Sequence, residues 1–302
     1  MNEGKVAAVV VLYKPNHEIF RRLLESIYEQ VDLLILIDNG QDADRILPLL
    51  ELFPTSQYHE LKKNYGLGYA LNLGFSLASA LGFKYVATFD QDSIASSGMI
   101  DALLQSQINL KKAGIKCAAL SPIFYDLREK IKSFFPVYRE VNGKIIVNTP
   151  CTQINNLLEA DYLITSGMLI DVQAWNEGIK FNEDFFVDYT DIEWCFRCRS
   201  MGYQLYANSE IEMGHTLSDN FRKPILGLNF LQYSPIRRYY FYRNVLYFCK
   251  LNFVSLAWKK RLLKSLAIKF FLNPLVDQSP WGSLKMMGRG IFDGILGRLG
   301  PR

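Results

Sequence analysis

The sequence predicts an α/β fold in which a mostly parallel sheet is flanked by helices. Over the first hundred residues, short apolar and β-branched runs alternate with amphipathic helical patterns. Strands of parallel sheets are buried on both faces and therefore read as such runs. Regular strand–helix alternation indicates right-handed crossovers and a layered sheet. With 302 residues the chain can form one large or two small domains.

Four strands and two helices are predicted in the first ninety residues. One strand is apolar and ends in the acidic pair Asp90 and Asp92, and another ends at Asp38. Ligands of open α/β sheets bind beyond the carboxyl ends of the strands, so these acids are predicted to share one edge. We place strands at residues 6–13, 33–37, about 57–61 and 85–90, and helices at about 16–30 and 64–81.

The rest of the chain mixes strands, turns and helices. Asn142 and Gly143 lie between two β-type runs, which predicts a hairpin. Thr190 precedes a helical pattern with acids in its first turn, which is typical of a capped helix start. We predict a helix at 96–113, a strand at 116–121, the hairpin at 138–148, a strand, turn and helix over 160–171, a helix within 185–201, and helical segments at about 256–272 and 284–299.

Charge is distributed unevenly. The net charge is +4, yet residues 222–302 carry 15 Lys and Arg against 2 Asp and Glu. A basic tail on an acidic body indicates contact with an anionic surface. Four aromatic residues of the tail fit a peripheral membrane contact, and packing on the rest of the chain is the alternative. They are Trp258, Phe270, Phe271 and Trp281.

Neither a membrane span nor a secretory signal is expected. No apolar run reaches the roughly 18–20 residues that cross a bilayer, and the N-terminus has no signal-peptide pattern. The five cysteines are scattered and are predicted to be reduced. We therefore expect a cytoplasmic protein, peripheral at the inner membrane surface. No nucleic-acid reading motif accompanies the basic residues, so a nucleic-acid partner is not expected.

Asp90 and Asp92 are the clearest candidates for chemistry. Alternate side chains of a strand face the same way, so the two carboxylates project together. Two carboxylates at such a short distance do not readily ionise together unless a cation lies between them. Mg²⁺ or Mn²⁺ carrying a diphosphate would fill this role. The structural alternative is that Asp90 and Asp92 cap the helix that follows.

A series of short motifs occurs in a characteristic order, although each motif alone is weak. They are Tyr13; Asp38-Asn39; Asn64-x-Gly66-x-Gly68-x-Ala70-x-Asn72-x-Gly74; Phe89-Asp90-Gln91-Asp92-Ser93; Ser166-Gly167; Asp188-Tyr189-x-Asp191-x-Glu193-Trp194-Cys195; His215; and Arg237-Arg238-Tyr239-Tyr240-x-x-Arg243-Asn244. Together they resemble the inverting glycosyltransferases of family 2, which have the GT-A fold. The resemblance covers about residues 5–250. Within this family, the Asp-Gln-Asp-Ser and Glu-Trp-Cys segments favour a resemblance to the bacterial rhamnosyltransferases of O-antigen and cell-wall polysaccharide assembly.

The resemblance implies a sugar-nucleotide site on the strand ends. Asp38 is expected to accept the imide N–H of the base, and the glycines are expected to let the backbone approach the nucleotide. The donor-binding set is Tyr13, Asp38, Asn64, Gly66, Gly68, Asp90, Gln91, Arg238 and Arg243. The expected metal ligands are Asp92, Asp90 and His215. For Arg238 and Arg243, a basic helix face on anionic lipid is the alternative.

Inverting transfer requires a general base for the acceptor hydroxyl. The resemblance places Asp191 in this role, with Glu193 and Asp188 as alternatives. Residue 190 is Thr where the commonest family pattern has Glu, so the supporting acid is not identified. Ser166, Gly167 and Trp194 are the expected acceptor-binding residues.

The expected reaction is metal-dependent transfer of L-rhamnose from dTDP-β-L-rhamnose to a saccharide hydroxyl, with inversion. The acceptor is expected to be linked to undecaprenyl diphosphate. The alternatives are a UDP-sugar donor (galactose, galactofuranose or N-acetylhexosamine) and a non-catalytic scaffold that binds sugar nucleotides. The expected organisation is a catalytic domain at 1–222, with a nucleotide half at 1–121 and an acceptor half at 122–222, and a helical region at 223–302.

Overall fold

The computed structural model describes residues 4–126, 134–149, 156–215, 223–225, 228–230 and 232–302. Its strands are β1 (Val6–Leu12), β2 (Leu33–Asp38), β3 (Ser56–Glu60), β4 (Tyr85–Asp90), β5 (Ile94–Ala95), β6 (Cys117–Asp126), β7 (Val137–Val141), β8 (Lys144–Asn148), β9 (Leu157–Glu159), β10 (Met168–Asp171), β11 (Gln204–His215), β12 (Lys223–Ile225) and β13 (Leu228–Phe230). Its helices are α1 (His17–Ile27), α2 (Ala43–Leu50), α3 (Leu67–Ala80), α4 (Met99–Lys112), α5 (Val172–Asn176), α6 (Thr190–Ser200), α7 (Pro235–Phe248), α8 (Leu256–Val276) and α9 (Pro280–Leu296).

One mixed sheet carries the architecture, in the order β3-β2-β1-β4-β10-β6-β11-β5, with β9 paired to β11. The neighbours β3, β2, β1 and β4 are all parallel. The strands β1, β2 and β4 are buried on both faces, as their continuous apolar sequences require. The predicted α/β fold with a mostly parallel sheet is confirmed.

Strand β10 is the main departure from the predicted topology. It runs antiparallel between β4 and β6, with Met168 paired to Thr88 and Leu169 paired to Leu120. The predicted turn at Ser166 and Gly167 therefore leads into a strand, and the helix α5 begins only at Val172. Consequently β10 begins at the edge where β4 ends, which brings Ser166 beside the carboxyl end of β4.

Helices cover both faces of the sheet and form two apolar cores. On one face, Phe20, Leu24 and Leu103 from α1 and α4 pack against β1, β2 and β4. On the other face, Phe75 from α3 and Trp194 from α6 complete the second core. A layered α/β arrangement of this kind leaves the ends of the strands as the accessible rim.

The C-terminal helices pack on the rest of the protein. Residues of α7, α8 and α9 form a third apolar cluster with Phe185, Tyr189 and Phe196. The helix α6 begins at the predicted Thr190, but its N-cap position is Tyr189, in a left-handed conformation, so Thr190 is not the cap. Trp258 is buried in this cluster and donates a hydrogen bond to Asp161. Trp258 is therefore not available for the predicted membrane contact.

Asn72 joins α3 to the segment before α6. Its side-chain oxygen accepts hydrogen bonds from Trp175 Nε1 and Phe181 N, at 3.1 and 2.9 Å. Its Nδ2 donates to Phe181 O and Glu183 Oε1, both at 2.9 Å. One buried amide therefore satisfies four polar groups that are about 100 positions away in the chain.

We expect Asn72→Ala to lower the free energy of unfolding by about 2–4 kcal/mol, because buried donors and an acceptor lose their partners. Chemical denaturation measures the change. The control is Asn176→Ala. It removes an exposed hydrogen bond from Ser79, which lies on α3 like Asn72, and should lower the free energy of unfolding by about 0.5 kcal/mol or less. Equal effects of the two substitutions would contradict this account of Asn72.

Candidate active site

The carboxyl ends of β1, β2 and β4 meet at one edge of the sheet. The start of β10 closes this edge, because Gly167 N donates to Thr88 O at 2.7 Å and Asp90 N donates to the Ser166 hydroxyl at 3.1 Å. Ser166 is fully buried and also bonds to Ser93 at 2.5 Å. Ser166 and Gly167 therefore shape the loop around Asp90, and their predicted contact with the acceptor remains a prediction.

Asp90 and Asp92 are close enough to interact electrostatically. Burial and, to a smaller extent, the charge of Asp92 raise the pKa of Asp90 to about 7, against the opposing effect of Arg237. Two carboxylates in this setting do not both ionise easily without a compensating cation. The capping alternative does not account for this, because the helix α4 begins at Met99 and its N-cap position is Gly98.

Asp191 faces the same edge from the start of α6. Its carboxylate accepts hydrogen bonds from Thr165 N at 3.2 Å and from Ile192 N at 2.8 Å. Burial raises the pKa of Asp191 to about 6 against the effect of the Ile192 bond, and the negative charge of Asp90 contributes to the rise. The structure therefore brings together three of the predicted site residues, Asp90, Asp92 and Asp191. A carboxylate with a pKa near neutrality is suited to accept a proton.

The two alternatives to Asp191 have other partners. Glu193 is buried and forms an ion pair with Arg197 at 2.7 Å, so it does not face the edge as an available base. Asp188 lies beside Arg237, with Nε of the arginine 3.4 Å from Oδ1 of the acid. The prediction of Glu193 as a base is therefore corrected, because its carboxylate stabilises the helix α6.

Tyr13 and Gln91 connect the ends of β1 and β4. Tyr13 N donates to Gln91 Oε1 at 2.8 Å, and Gln91 Nε2 donates to Tyr13 O at 3.2 Å. The ring of Tyr13 is left about half exposed, at 48%. The main chain of Tyr13 is thus fixed beside Gln91, and its ring is partly exposed, with Lys14 Nζ 5.7 Å from the ring centroid. Donor binding by Tyr13 and Gln91 remains a prediction.

The polar residues of the second strand end hold the surrounding turns. The carboxylate of Asp38 is buried and accepts hydrogen bonds from Gly40 N and Asp42 N, both at 2.8 Å, and from the Tyr58 hydroxyl at 2.6 Å. Asn64 Oδ1 accepts bonds from Asn39 Nδ2 and Gly66 N, both at 2.9 Å. Asp38 and Asn64 thus order the rim, and their contacts with the donor remain predictions.

Gly66 and Gly68 allow a protein segment to approach. A Cβ on Gly66, where φ is +89°, would lie 2.6 Å from Phe186 O. A Cβ on Gly68 would lie 2.8 Å from Asn182 O. The space beside both glycines is therefore filled by the segment that precedes α6, which corrects the expectation that their missing side chains make room for the nucleotide.

Three predicted binding residues lie in the interior. Trp194 is fully buried, donates to Ile179 O at 2.7 Å and stacks on Phe181. Arg238 forms a buried two-point ion pair with Asp277, at 2.8 and 2.7 Å. Arg243 is buried and donates to main-chain carbonyls. We therefore withdraw Trp194 from the acceptor site and Arg238 and Arg243 from the donor site, because all three have structural partners.

Two residues at the edge were missed. Arg237 is one position from the predicted Arg238, but it faces Asp188 and acts electrostatically on Asp90. Tyr162 is half-buried and near Asp191, whose charge contributes to a raised Tyr162 pKa that is mainly due to burial. The run Arg237-Arg238 indicated a cation in this region. Choosing between neighbours requires knowing which face of the helix α7 meets the edge.

The residues at the edge fit a divalent cation in part. Among the side chains that the structure describes, no three acids, histidines or cysteines form a metal-binding group. The repulsion between Asp90 and Asp92 is nevertheless what a bound cation would relieve. His215 ends β11, one position after Gly214, which pairs with Ile94. Continuing this antiparallel register by one residue places residue 215 opposite Ser93, the neighbour of Asp92 in sequence. The side chain of His215 lies outside the described part.

Comparisons with known proteins agree with this arrangement. The model of "Glycosyl transferase family 2" matches residues 8–152. A dTDP-rhamnosyl transferase, RfbF of Shigella flexneri, is 25% identical over 305 residues, which span 98% of this chain and 97% of RfbF.

Solved structures share the fold at low sequence identity. TarS of S. aureus in complex with UDP-GlcNAc has a TM-score of 0.57 at 15% identity, covering 96% of this chain and 80% of TarS. GalNAc-T7 with UDP, GalNAc and Mn²⁺ has a TM-score of 0.59 at 12% identity, covering 89% of this chain and 56% of GalNAc-T7. The chain therefore has the GT-A fold, and it is similar to glycosyltransferase family 2 over residues 8–152 and to a glycosyltransferase over nearly its whole length.

Proposed function

We propose that this enzyme transfers L-rhamnose from dTDP-β-L-rhamnose to a hydroxyl of a lipid-linked saccharide, with inversion and with a divalent cation. The observation that carries the proposal is the convergence of Asp191 with Asp90 and Asp92 at the edge of the sheet. The choice of donor is supported by the likeness to RfbF, which extends over nearly the full length of both chains.

The chemistry is a single displacement. The acceptor oxygen attacks the anomeric carbon while the bond from that carbon to the diphosphate oxygen breaks, and Asp191 takes the hydroxyl proton. The carboxylate of Asp191 is fixed by two backbone N–H groups, and its pKa of about 6 leaves it mostly ionised at neutral pH.

The leaving diphosphate requires positive charge. Asp90, Asp92 and His215 are the residues that would hold Mg²⁺ or Mn²⁺ for this purpose, and the cation would neutralise the charge that develops on the leaving group. Mn²⁺ is present in the GalNAc-T7 structure, which shares this fold. Arg237 adds a fixed cation on the same side, since its charge reaches Asp90.

Asp191→Asn is expected to lower kcat by about 10²- to 10⁴-fold, because the hydroxyl loses its base. Thermal stability should not fall, since burial already disfavours the charged carboxylate. In the wild type, turnover should decline as the pH falls through about 6, where Asp191 becomes protonated. Initial rates from pH 5 to 8 at saturating substrate measure the loss of kcat in the variant and the pH dependence of the wild type. A variant with more than about a tenth of wild-type kcat would contradict the proposed base.

The donor is tested with a panel of dTDP- and UDP-sugars in the presence of Mg²⁺, Mn²⁺ or EDTA. We expect turnover of dTDP-rhamnose that EDTA removes and that Asp92→Asn reduces by at least about 10²-fold. Asp101→Asn, which changes an exposed acid on α4, is the control and should retain activity. Turnover of a UDP-sugar instead would reject the rhamnosyl assignment, and full activity in EDTA would reject the metal.

A membrane location is supported by the surface of α8 and α9. No helix in the described part of the chain is long and apolar enough to cross a membrane. Each of the two helices nevertheless exposes large apolar side chains at helical spacing, among them Phe271 at 74% and Trp281 at 83%. The basic residues Lys264, Lys285 and Arg289 lie between exposed apolar residues of the same two helices in sequence. We call these exposed residues of α8 and α9 the lipid-facing stripes.

Acids offset little of the positive charge of this region. Asp277, which follows α8, pairs with the buried Arg238, and Asp293 of α9 accepts a hydrogen bond from Tyr239 at 2.8 Å and lies 3.9 Å from Arg298. The outward charge of the stripes is therefore positive, which complements anionic lipid headgroups at about 1 kcal/mol per basic residue near the surface. The predicted roles of Phe271 and Trp281 are retained, whereas Phe270 packs on Tyr242.

We expect the double substitution Phe271→Ser and Trp281→Ser to weaken binding to vesicles with anionic lipid by about tenfold or more, because two apolar anchors are lost. Vesicle sedimentation measures the change. The control is Leu47→Ser with Leu52→Ser, which alters exposed apolar residues of the acidic body. Equal binding by both double variants would contradict a lipid contact through the stripes, as would binding that is insensitive to anionic lipid.

A further inference from the structure

The segment just before α6 has an unusual backbone. Phe186, Asp188 and Tyr189 have φ values of +66°, +52° and +69°, and none of them is glycine. Left-handed conformations of this kind persist in non-glycine residues only where the surroundings determine them. We call residues Asp184–Tyr189 the catalytic loop, because the proposed base Asp191 follows two positions later.

The helix α7 supplies most of the groups that hold this loop. Nδ2 of Asn244 donates to the carbonyls of Phe185, Val187 and Asp188, at 2.9, 2.6 and 2.8 Å. Nη2 of Arg243 donates to the carbonyls of Phe185 and Asp184, at 2.9 and 3.2 Å. Both side chains are almost completely buried. Two adjacent residues of α7 thus bind four carbonyls of one strained loop, those of residues 184, 185, 187 and 188.

Further contacts complete the enclosure. Nη1 of Arg243 also binds the carbonyl of Gly300, whose N–H donates to Asp184 O at 2.8 Å. On the opposite side, Leu67 N donates to Phe186 O at 2.6 Å, beside Gly66. The ring of Phe186 stacks on Tyr240, with centroids 5.0 Å apart. The loop is therefore held between the start of α3 and the C-terminal helices.

Helical spacing explains why adjacent residues of α7 have different tasks. Arg237, Tyr240 and Asn244 recur at intervals of three and four residues and meet the catalytic loop and Asp188. Arg238 and Tyr242 face α8 and the turn after it, where they contact Asp277 and Asn273. One helix thus joins the candidate active site to the C-terminal region.

We propose that Arg243 and Asn244 are positioning residues, which hold the catalytic loop in its left-handed conformation and thereby aim Asp191 at the edge of the sheet. The proposal rests on the proposed role of Asp191 as the base. A misplaced base loses rate without a comparable loss of donor affinity, because the predicted donor contacts lie at the ends of β1, β2 and β4.

The test uses Asn244→Ala and Arg243→Lys in the full-length chain. Arg243→Lys keeps the charge but removes the planar fork that reaches three carbonyls. We expect each variant to lower kcat by about 10²-fold, with a change of no more than about threefold in the dissociation constant for dTDP with Mg²⁺. Amide hydrogen exchange should become faster in residues 184–191 and remain unchanged in β1 and β4.

The matched control is Asn273→Ala. Asn273 is an equally buried amide of the same region, but its Nδ2 donates to the Tyr242 hydroxyl at 3.2 Å and not to the loop. Its kcat per folded molecule should stay within about threefold of the wild type. Losses of kcat that are equal in Asn244→Ala and Asn273→Ala would overturn the proposal and indicate a merely structural role.

Hydrogen exchange separates this proposal from the proposed function. If Asp191→Asn keeps its activity, the assignment of the base is wrong, while faster exchange in residues 184–191 of Asn244→Ala would still support a clamp on the loop. Unchanged exchange in that segment would overturn the clamp whatever the activity of Asp191→Asn.

Discussion

The candidate site depends on holding carboxylates together where both burial and mutual repulsion oppose their ionisation. Asp90 and Asp191 have raised pKa values, and each of them is affected by a neighbouring acid. Such an arrangement is unfavourable in a free chain, so rigid elements must impose it. The parallel strands β1 and β4 fix Asp90, the inserted strand β10 brings Thr165 to Asp191, and α6 fixes Asp191 from the other side. Under the proposed function, this charge distribution is in place before substrate and cation bind.

Much of this framework was predictable from the sequence, because the decisive information was local. Apolar runs identified the buried strands, and acids at their ends identified the edge. The resemblance to glycosyltransferase family 2, and not the local pattern, pointed to Asp191 at the start of a helix. The strand β10 was not predictable: the turn at Ser166 and Gly167 was expected to lead into a helix, because an apolar run as short as residues 168–171 fits a helix or a strand. Only pairing with β4 and β6 decides it.

The errors in the candidate site share one physical cause. Arg238, Arg243, Glu193 and Trp194 have the chemistry of binding residues, but each is buried against protein partners. A sequence shows which side chains a helix carries. When the helix is enclosed on several sides, the sequence does not show which of these side chains face the site and which face other parts of the protein. Gly66 and Gly68 illustrate the same limit. A glycine is required both where another backbone segment approaches closely and where a ligand does, so its presence in the sequence does not distinguish the two cases.

The bond between Gly300 and Asp184 has a consequence for the order of folding. Proteins are made from the N-terminus at about 5–20 residues per second, and early segments begin to fold first. The strands and helices around the sheet can form before residues 243, 244 and 300 leave the ribosome. The catalytic loop cannot reach the contacts seen here until those residues arrive. The loop before α6 therefore reaches this conformation only after residue 300 has been made, when the helices α7 and α9 dock beside it.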